Sequence, residues 1–184
     1  GVTGGGVYLD GGADHLRLPV HYEEPLTAGA QSFSMSSWYY TEGNSDSELP
    51  DTPQVIYSHN AYNERTGFGL LSMETGSGNA GVAFFVGDLL DPRLAGAKVL
   101  TDATVLTPGT CATVNQLNDA PAFWVAQDIP LRTWHHLAFT MDADYDVAPS
   151  ADDAKFTFYV DGKNVGCVIV DQPPDAVQCP QFFA

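Results

Sequence analysis

The stretch KFTFYVDGKNVGCVIV, residues 155–170, decides how the rest of the chain is read. Phe156, Phe158 and Val160 stand at alternate positions, with Thr157, Tyr159 and Asp161 between them. Successive side chains of a strand point to opposite faces, so this spacing predicts a strand with one apolar and one polar face. A second apolar run, VGCVIV (165–170), follows within a few residues. Asp161-Gly162 lies between the two runs, and Asp-Gly suits the positive backbone angles of a tight hairpin turn. A β-hairpin is expected here.

The same period recurs outward in both directions. In SFSMSSWYYTE (32–42), Phe33, Met35 and Tyr39 alternate with serines. Further strand-like runs are VYLD (7–10), HLRL (15–18), QVIYSH (54–59), FGLLSM (68–73), GVAFFVG (81–87), AFWVAQ (122–127) and WHHLAFTM (134–141). They are rich in Val, Phe, Tyr and Trp, which suit a pleated surface. The connections DGGAD, EGNSDSELPDTP, ETGSGNAG, TPGT and VDGKN carry turn chemistry. LLDPRLAGAKVL (89–100) comes nearest to a helix, but Pro92 and Gly96 interrupt it. About ten short strands predict an all-β fold, a two-sheet antiparallel β-sandwich or jelly roll. No linker or repeat divides the chain, so residues 1–184 are read as one domain.

Bulk properties narrow the partners. Seven Lys and Arg stand against 23 Asp and Glu, a formal net charge of -16. A surface of that sign repels phosphate backbones and anionic lipid heads, which argues against nucleic acid as a partner. It suits a calcium-containing extracellular medium, a salty one, or a protein kept soluble by charge. No apolar window is long enough to span a membrane, and GVTGGG at the start lacks the pattern of a signal peptide. Of the three cysteines, Cys111, Cys167 and Cys179, none forms a C-x-x-C pair. Three pairings and an all-reduced state are open. Closeness in sequence favours a Cys167–Cys179 bridge across QPPDAVQ, leaving Cys111 over. No N-x-[ST] sequon occurs.

The chemistry centres on TWHHLAFTMDADYD (133–146). Adjacent residues of a strand face opposite ways, so His135 and His136 cannot chelate one ion together. Nucleophilic catalysis has no G-x-S-x-G elbow to rest on, and Cys111 has no partner signature. Glycoside hydrolysis needs two facing carboxylates, yet Glu42, Asp46 and Glu48, the nearest set, lie in a loop with the wrong spacing. No enzymatic activity is expected. Calcium takes six to eight oxygens, and the loop after the histidines offers Asp142, Asp144, Asp146 and Asp153 at positions one, three, five and twelve of a twelve-residue loop. Val147 holds the sixth position, where such loops need Gly, which leaves two expectations open: a looser calcium site or a plain solvated acidic loop. Trp38, Trp124 and Trp134 fall in strand-like runs and are expected to pack inside. Tyr62 and Asn63, in the loop HNAYNERTG (59–67), are the candidate ligand-binding residues.

The order of segments also resembles a known family. Residues 9–19 are similar to an opening "F-D-G-x-x-D-x-L-x-L-P", and 32–38 to "S-F-S-x-S-x-W". Residues 133–142 follow "G-x-W-H-H-x-A-x-T-x-D", and 159–162 follow "Y-V-D-G". These motifs, in this order, resemble the laminin-G-like, concanavalin A-like jelly roll. Two places depart from it: residues 88–121 are longer and more irregular, and the chain ends in QCPQFFA rather than an aspartate-rich "D-D-V-x-I-Y" strand. The resemblance implies an extracellular or cell-surface recognition module, part of a larger protein with neighbouring domains. It implies binding of glycan through rim loops, with calcium assisting, or else a structural and adhesive module that packs against other extracellular proteins.

Overall fold

Phe156 and Phe158, the apolar teeth of the opening stretch, have no exposed surface at all. In the computed structural model, which describes residues 6–8, 32–43, 54–60, 67–75, 78–86, 103–114, 122–142, 145 and 154–170, they lie at the centre of a β-sandwich. Their strand, β9 (Ala154–Val160), turns at Asp161 and Gly162 into β10 (Lys163–Val170). Both turn residues have positive φ, 50° and 75°, as a two-residue primed turn demands. The predicted hairpin is present.

Eight further strands surround it: β1 (Phe33–Tyr39), β2 (Gln54–Asn60), β3 (Gly67–Thr75), β4 (Asn79–Val86), β5 (Thr104–Val105), β6 (Cys111–Val114), β7 (Ala122–Pro130) and β8 (His135–Asp142). They form two five-stranded sheets, ordered β1-β8-β9-β10-β6 and β2-β3-β4-β7-β5. Phe156 stacks on Phe68 and Phe84 from the opposite sheet, with ring centroids 4.9 and 5.0 Å apart. Phe158 meets Phe84 at 4.7 Å. Leu137, Phe139 and Met141 of β8 and Val168 and Val170 of β10 complete the wall of the first sheet. The all-β expectation holds, and no helix occurs among the described residues. None of these residues forms a helix long and apolar enough to cross a membrane. The runs at 15–18 and 89–100 lie outside the described residues, and Val7 and Tyr8 are not in a strand.

Two features correct the sequence expectation. The sheets are not wholly antiparallel: β6 runs parallel to β10, and β5 parallel to β7. The reason is one segment, 103–114, which gives β5 to one sheet and β6 to the other. A strand that arrives by crossing between sheets is free of the reversal that a hairpin imposes. Leu106 is buried at the crossing, and its N–H donates to the Trp124 carbonyl at 3.0 Å. A turn follows, closed by the Thr110 N–H on the Thr107 carbonyl, with Gly109 at φ 80°. Gly166 opposite has φ 139°, and a Cβ there would stand 2.9 Å from the Leu106 Cβ. Only glycine lets β10 pass so close to the crossing segment.

The second correction is the disulfide. Cys167 pairs with Cys111, not with Cys179. The parallel β6–β10 register sets Cys111 directly beside Cys167, with Cα atoms 4.4 Å apart. That separation falls within the range a disulfide bridges. Closeness in sequence therefore lost to closeness across the sheet. Cys179 lies outside the described residues.

The two sheets differ in what their outer faces carry. In β3, β4 and β7 the apolar runs are continuous, the mark of a strand buried on both sides. Leu71, Met73, Ala83, Phe85, Ala122 and Trp124 form a second buried cluster on the outer face of that sheet. Space there is tight. A Cβ on Gly69 would stand 2.5 Å from the Phe85 ring, and one on Gly81 would strike the Trp124 ring. By contrast, half-buried and exposed residues alternate in β1, and buried and half-buried ones along most of β8 and β9. That alternation leaves the outward side chains of β1, β8 and β9 accessible to solvent.

Candidate functional site

Parity decides what the open face presents. Phe33, Met35 and Tyr39 of β1 turn toward the core, so Ser34, Ser36 and Trp38 turn away from it. In β8 the inward Leu137, Phe139 and Met141 leave His136, Ala138, Thr140 and Asp142 outward. The register sets Trp38 opposite His136, and their rings meet edge to face at 5.2 Å. One step along, Tyr40 and Trp134 face each other at 5.2 Å. Four aromatic rings thus form two cross-strand pairs at one end of the face. Such pairs hold one another in place, each worth about 0.5–1 kcal/mol beyond simple contact.

This overturns the expectation for two of the three tryptophans. Trp124 is buried, at 6% exposure, but Trp38 is 53% exposed and Trp134 46%. The signal was present in the sequence. Trp38 is out of phase with Phe33, Met35 and Tyr39, and Trp134 shares its phase with His136. Size and aromaticity suggest burial, whereas position in the alternation gives the facing. Gly6 runs beside Trp134, where a Cβ would lie 3.7 Å from the indole, and Tyr8 nearby in sequence is exposed.

The histidine doublet divides as strand geometry requires. His136 joins the open aromatic face, while His135 turns to the other side, opposite Tyr39. Asp161 of the hairpin turn links them. Its Oδ2 accepts the His135 Nδ1–H at 2.8 Å, and its Oδ1 accepts the His136 backbone N–H at 2.8 Å. The Asp161 N–H donates in return to the His136 carbonyl at 2.8 Å. The His135 Nε2 is buried without a hydrogen bond. Asp161 is thus a buckle that fixes the start of β8, and with it the His136 ring beneath Trp38.

The buckle has a pH signature. The hydrogen bond from His135, then that from the His136 backbone, hold the Asp161 carboxyl below its ordinary value. A group whose folded pKa is depressed adds stability above its unfolded pKa, near 4, and loses it as pH falls through the lower folded value. The carboxyl is about half exposed, so solvent screening keeps the effect small. Asp161→Asn is expected to flatten the acid limb of the stability profile below about pH 4. Thermal melts of both proteins between neutral pH and strong acid would show it; parallel acid limbs would remove the buckle from the account.

Beyond the aromatic pairs the face becomes small and hydroxylated. Ser36, Ala138 and Tyr159 stand abreast across β1, β8 and β9, followed by Ser34, Thr140 and Thr157. At the far end Asp142 faces Lys155 across the β8–β9 pair. The Ser32 hydroxyl donates to Asp142 at 3.2 Å, and the Lys155 ammonium lies 4.4 Å from the centre of the Tyr145 ring.

Of the calcium residues expected, the structure places Asp142 alone, at the exposed end of β8. Asp144, Asp146 and Asp153 lie outside the described residues, as do Tyr62 and Asn63. Among the described residues no three His, Cys, Asp or Glu side chains come together as a metal site would need. Comparison with protein-family models, with curated proteins and with solved structures yields no match in any of the three.

Proposed function

We propose that this chain is a non-catalytic recognition module that binds carbohydrate on the open face of its first sheet. One observation carries this: Trp38, Tyr40 and Trp134 stand exposed together, braced by His136, on an otherwise polar face. Exposed aromatic surface in a contiguous patch marks a binding site more often than a solvated surface. A ring held by its neighbour offers a flat apolar platform at little entropic cost, which the C–H face of a pyranose can cover. Hydroxyls farther along the face supply the polar partners that fix a sugar's orientation.

Two further facts support the extracellular, laminin-G-like reading. Three of its four motifs, at 32–38, 133–142 and 159–162, fall on or beside β1, β8 and β9, which build the face, while residues 9–19 lie outside the described residues. The Cys111–Cys167 disulfide suits an oxidising compartment. Calcium is assigned to the loop after β8 rather than to the aromatic face. Asp142, which accepts the Ser32 hydroxyl, stands opposite Lys155 at the far end of the face from the aromatic rings.

A glycan array probed with the wild-type chain, then with Trp38→Ala and Trp134→Ala, tests the proposal. Binding is expected to fall about tenfold or more in each variant, the usual loss for a stacked aromatic anchor, with melting temperature little changed. Chelation of calcium is expected to leave sugar affinity within about twofold. Silence across the array, with or without calcium, would favour a structural or adhesive module instead.

A further inference from the structure

Resting on that reading, we infer that the ligand is an internal stretch of an uncharged, linear saccharide chain, laid along β1, β8 and β9, rather than a single terminal sugar. The aromatic platform occupies only one end of the face. From Trp134 to Asp142 the strip runs eight residues, about 27 Å at the rise of a β-strand, several times the length of one hexose. Three adjacent strands make it roughly 10 Å wide.

The floor changes in one direction. After the pairs Tyr40/Trp134 and Trp38/His136 come Ser36 and Ala138, small enough to let a ligand descend, with Tyr159 standing beside Ala138. Ser34, Thr140 and Thr157 then present hydroxyls row by row. Hydroxyls donate and accept alike, as sugar hydroxyls do. All of these residues are at least partly accessible to solvent.

Charge and area select the occupant. Between the platform and the Asp142/Lys155 row, the face of β1, β8 and β9 carries no carboxylate and no Lys or Arg, so nothing there pairs with a sulfate or uronate. The chain's charge of -16 repels polyanions at a distance. A protein partner would need roughly 800 Å² on each side, and the strip offers only about 270 Å². Beyond β9 the face continues on β10 as Asn164 beside Tyr159, then as Cys167 of the disulfide and Ile169, none of them charged. A narrow, neutral, hydroxylated track with an aromatic stop fits one extended sugar chain.

The test is calorimetry with uncharged linear gluco-, manno- and xylo-oligomers, from single sugars to about six units, the number the strip can hold. Affinity for at least one series is expected to rise about tenfold or more between two and five units. Ala138→Leu and Ser34→Leu each plant a branched side chain on the floor, Ser34 on the more exposed strand. Both are expected to reduce hexamer affinity about fivefold or more while leaving the dimer within about twofold. A flat length series, no binding by any of the three series, preference for sulfated chains, or indifference of the hexamer to both variants would overturn the inference. If the array still shows binding that depends on Trp38 and Trp134, the carbohydrate reading survives and only the extended-chain ligand fails.

Discussion

Replacing Phe156 by Ala is expected to lower the unfolding free energy by about 3–5 kcal/mol, or roughly 6–20 °C in melting temperature. The figure follows from position. Phe156 is wholly buried and sits between Phe68 and Phe84 of the facing sheet, at 4.9 and 5.0 Å. Truncation removes a large apolar side chain from water-free surroundings and leaves a cavity. Ring–ring contacts, about 0.5–1.5 kcal/mol each, are lost as well. Neighbouring strands cannot close the gap, because β9 is hydrogen-bonded on both sides by β8 and β10.

Trp38→Ala is the matched control. It removes a larger ring from the same sheet, but from the open face, where half the residue already meets water. Its expected cost is under about 1 kcal/mol. Urea denaturation of the two variants separates burial from aromaticity. A Trp38→Ala loss equal to that of Phe156→Ala would mean that the ring is structural, and would take the platform out of the binding account. A loss below about 1 kcal/mol for Phe156→Ala would undo the assignment of the core.

The same contrast shows how much of the molecule was legible in the chain. Phe156, Phe158 and the Asp161-Gly162 turn announce themselves because strand period and turn chemistry are local rules, satisfied within a few residues. The sheet facing was also written there, in the difference between continuous runs such as GVAFFV and alternating ones such as SFSMSSW. Trp38 and Trp134 stand outside because parity along the strand, not aromaticity, sets which face a side chain takes. The crossing at 103–114 was illegible for a different reason. Thr104–Val105 and Cys111–Val114 are too short to show any period, and their partners β7 and β10 lie far along the chain. Asp161 as a buckle for both histidines also depends on tertiary register, since the residues are 26 and 25 positions apart.

That non-local crossing is where the covalent chemistry falls, and removing it should produce the second large effect. The Cys111–Cys167 bridge joins residues 56 positions apart. Closing a loop of that length in the unfolded chain is worth about 4 kcal/mol in the chain-entropy estimate, or roughly 8–16 °C. The bridge also ties down a short edge strand: β6 is four residues long. The double change Cys111→Ala/Cys167→Ala is therefore expected to lose about that much stability, whereas Cys179→Ala should lose under about 1 kcal/mol. Acting on both partners matters, since a lone Cys111→Ala frees Cys167 to find Cys179. Peptide mapping of the unreduced protein by mass spectrometry should recover residues 111 and 167 in one linked fragment. A fragment linking 167 to 179, or a double variant as stable as the wild type, would contradict the bridge. The proposed sugar-binding strip offers an independent reading of the same experiment. It lies on β1, β8 and β9, away from the crossing, so the double variant should keep its affinity within about twofold under conditions where it remains folded.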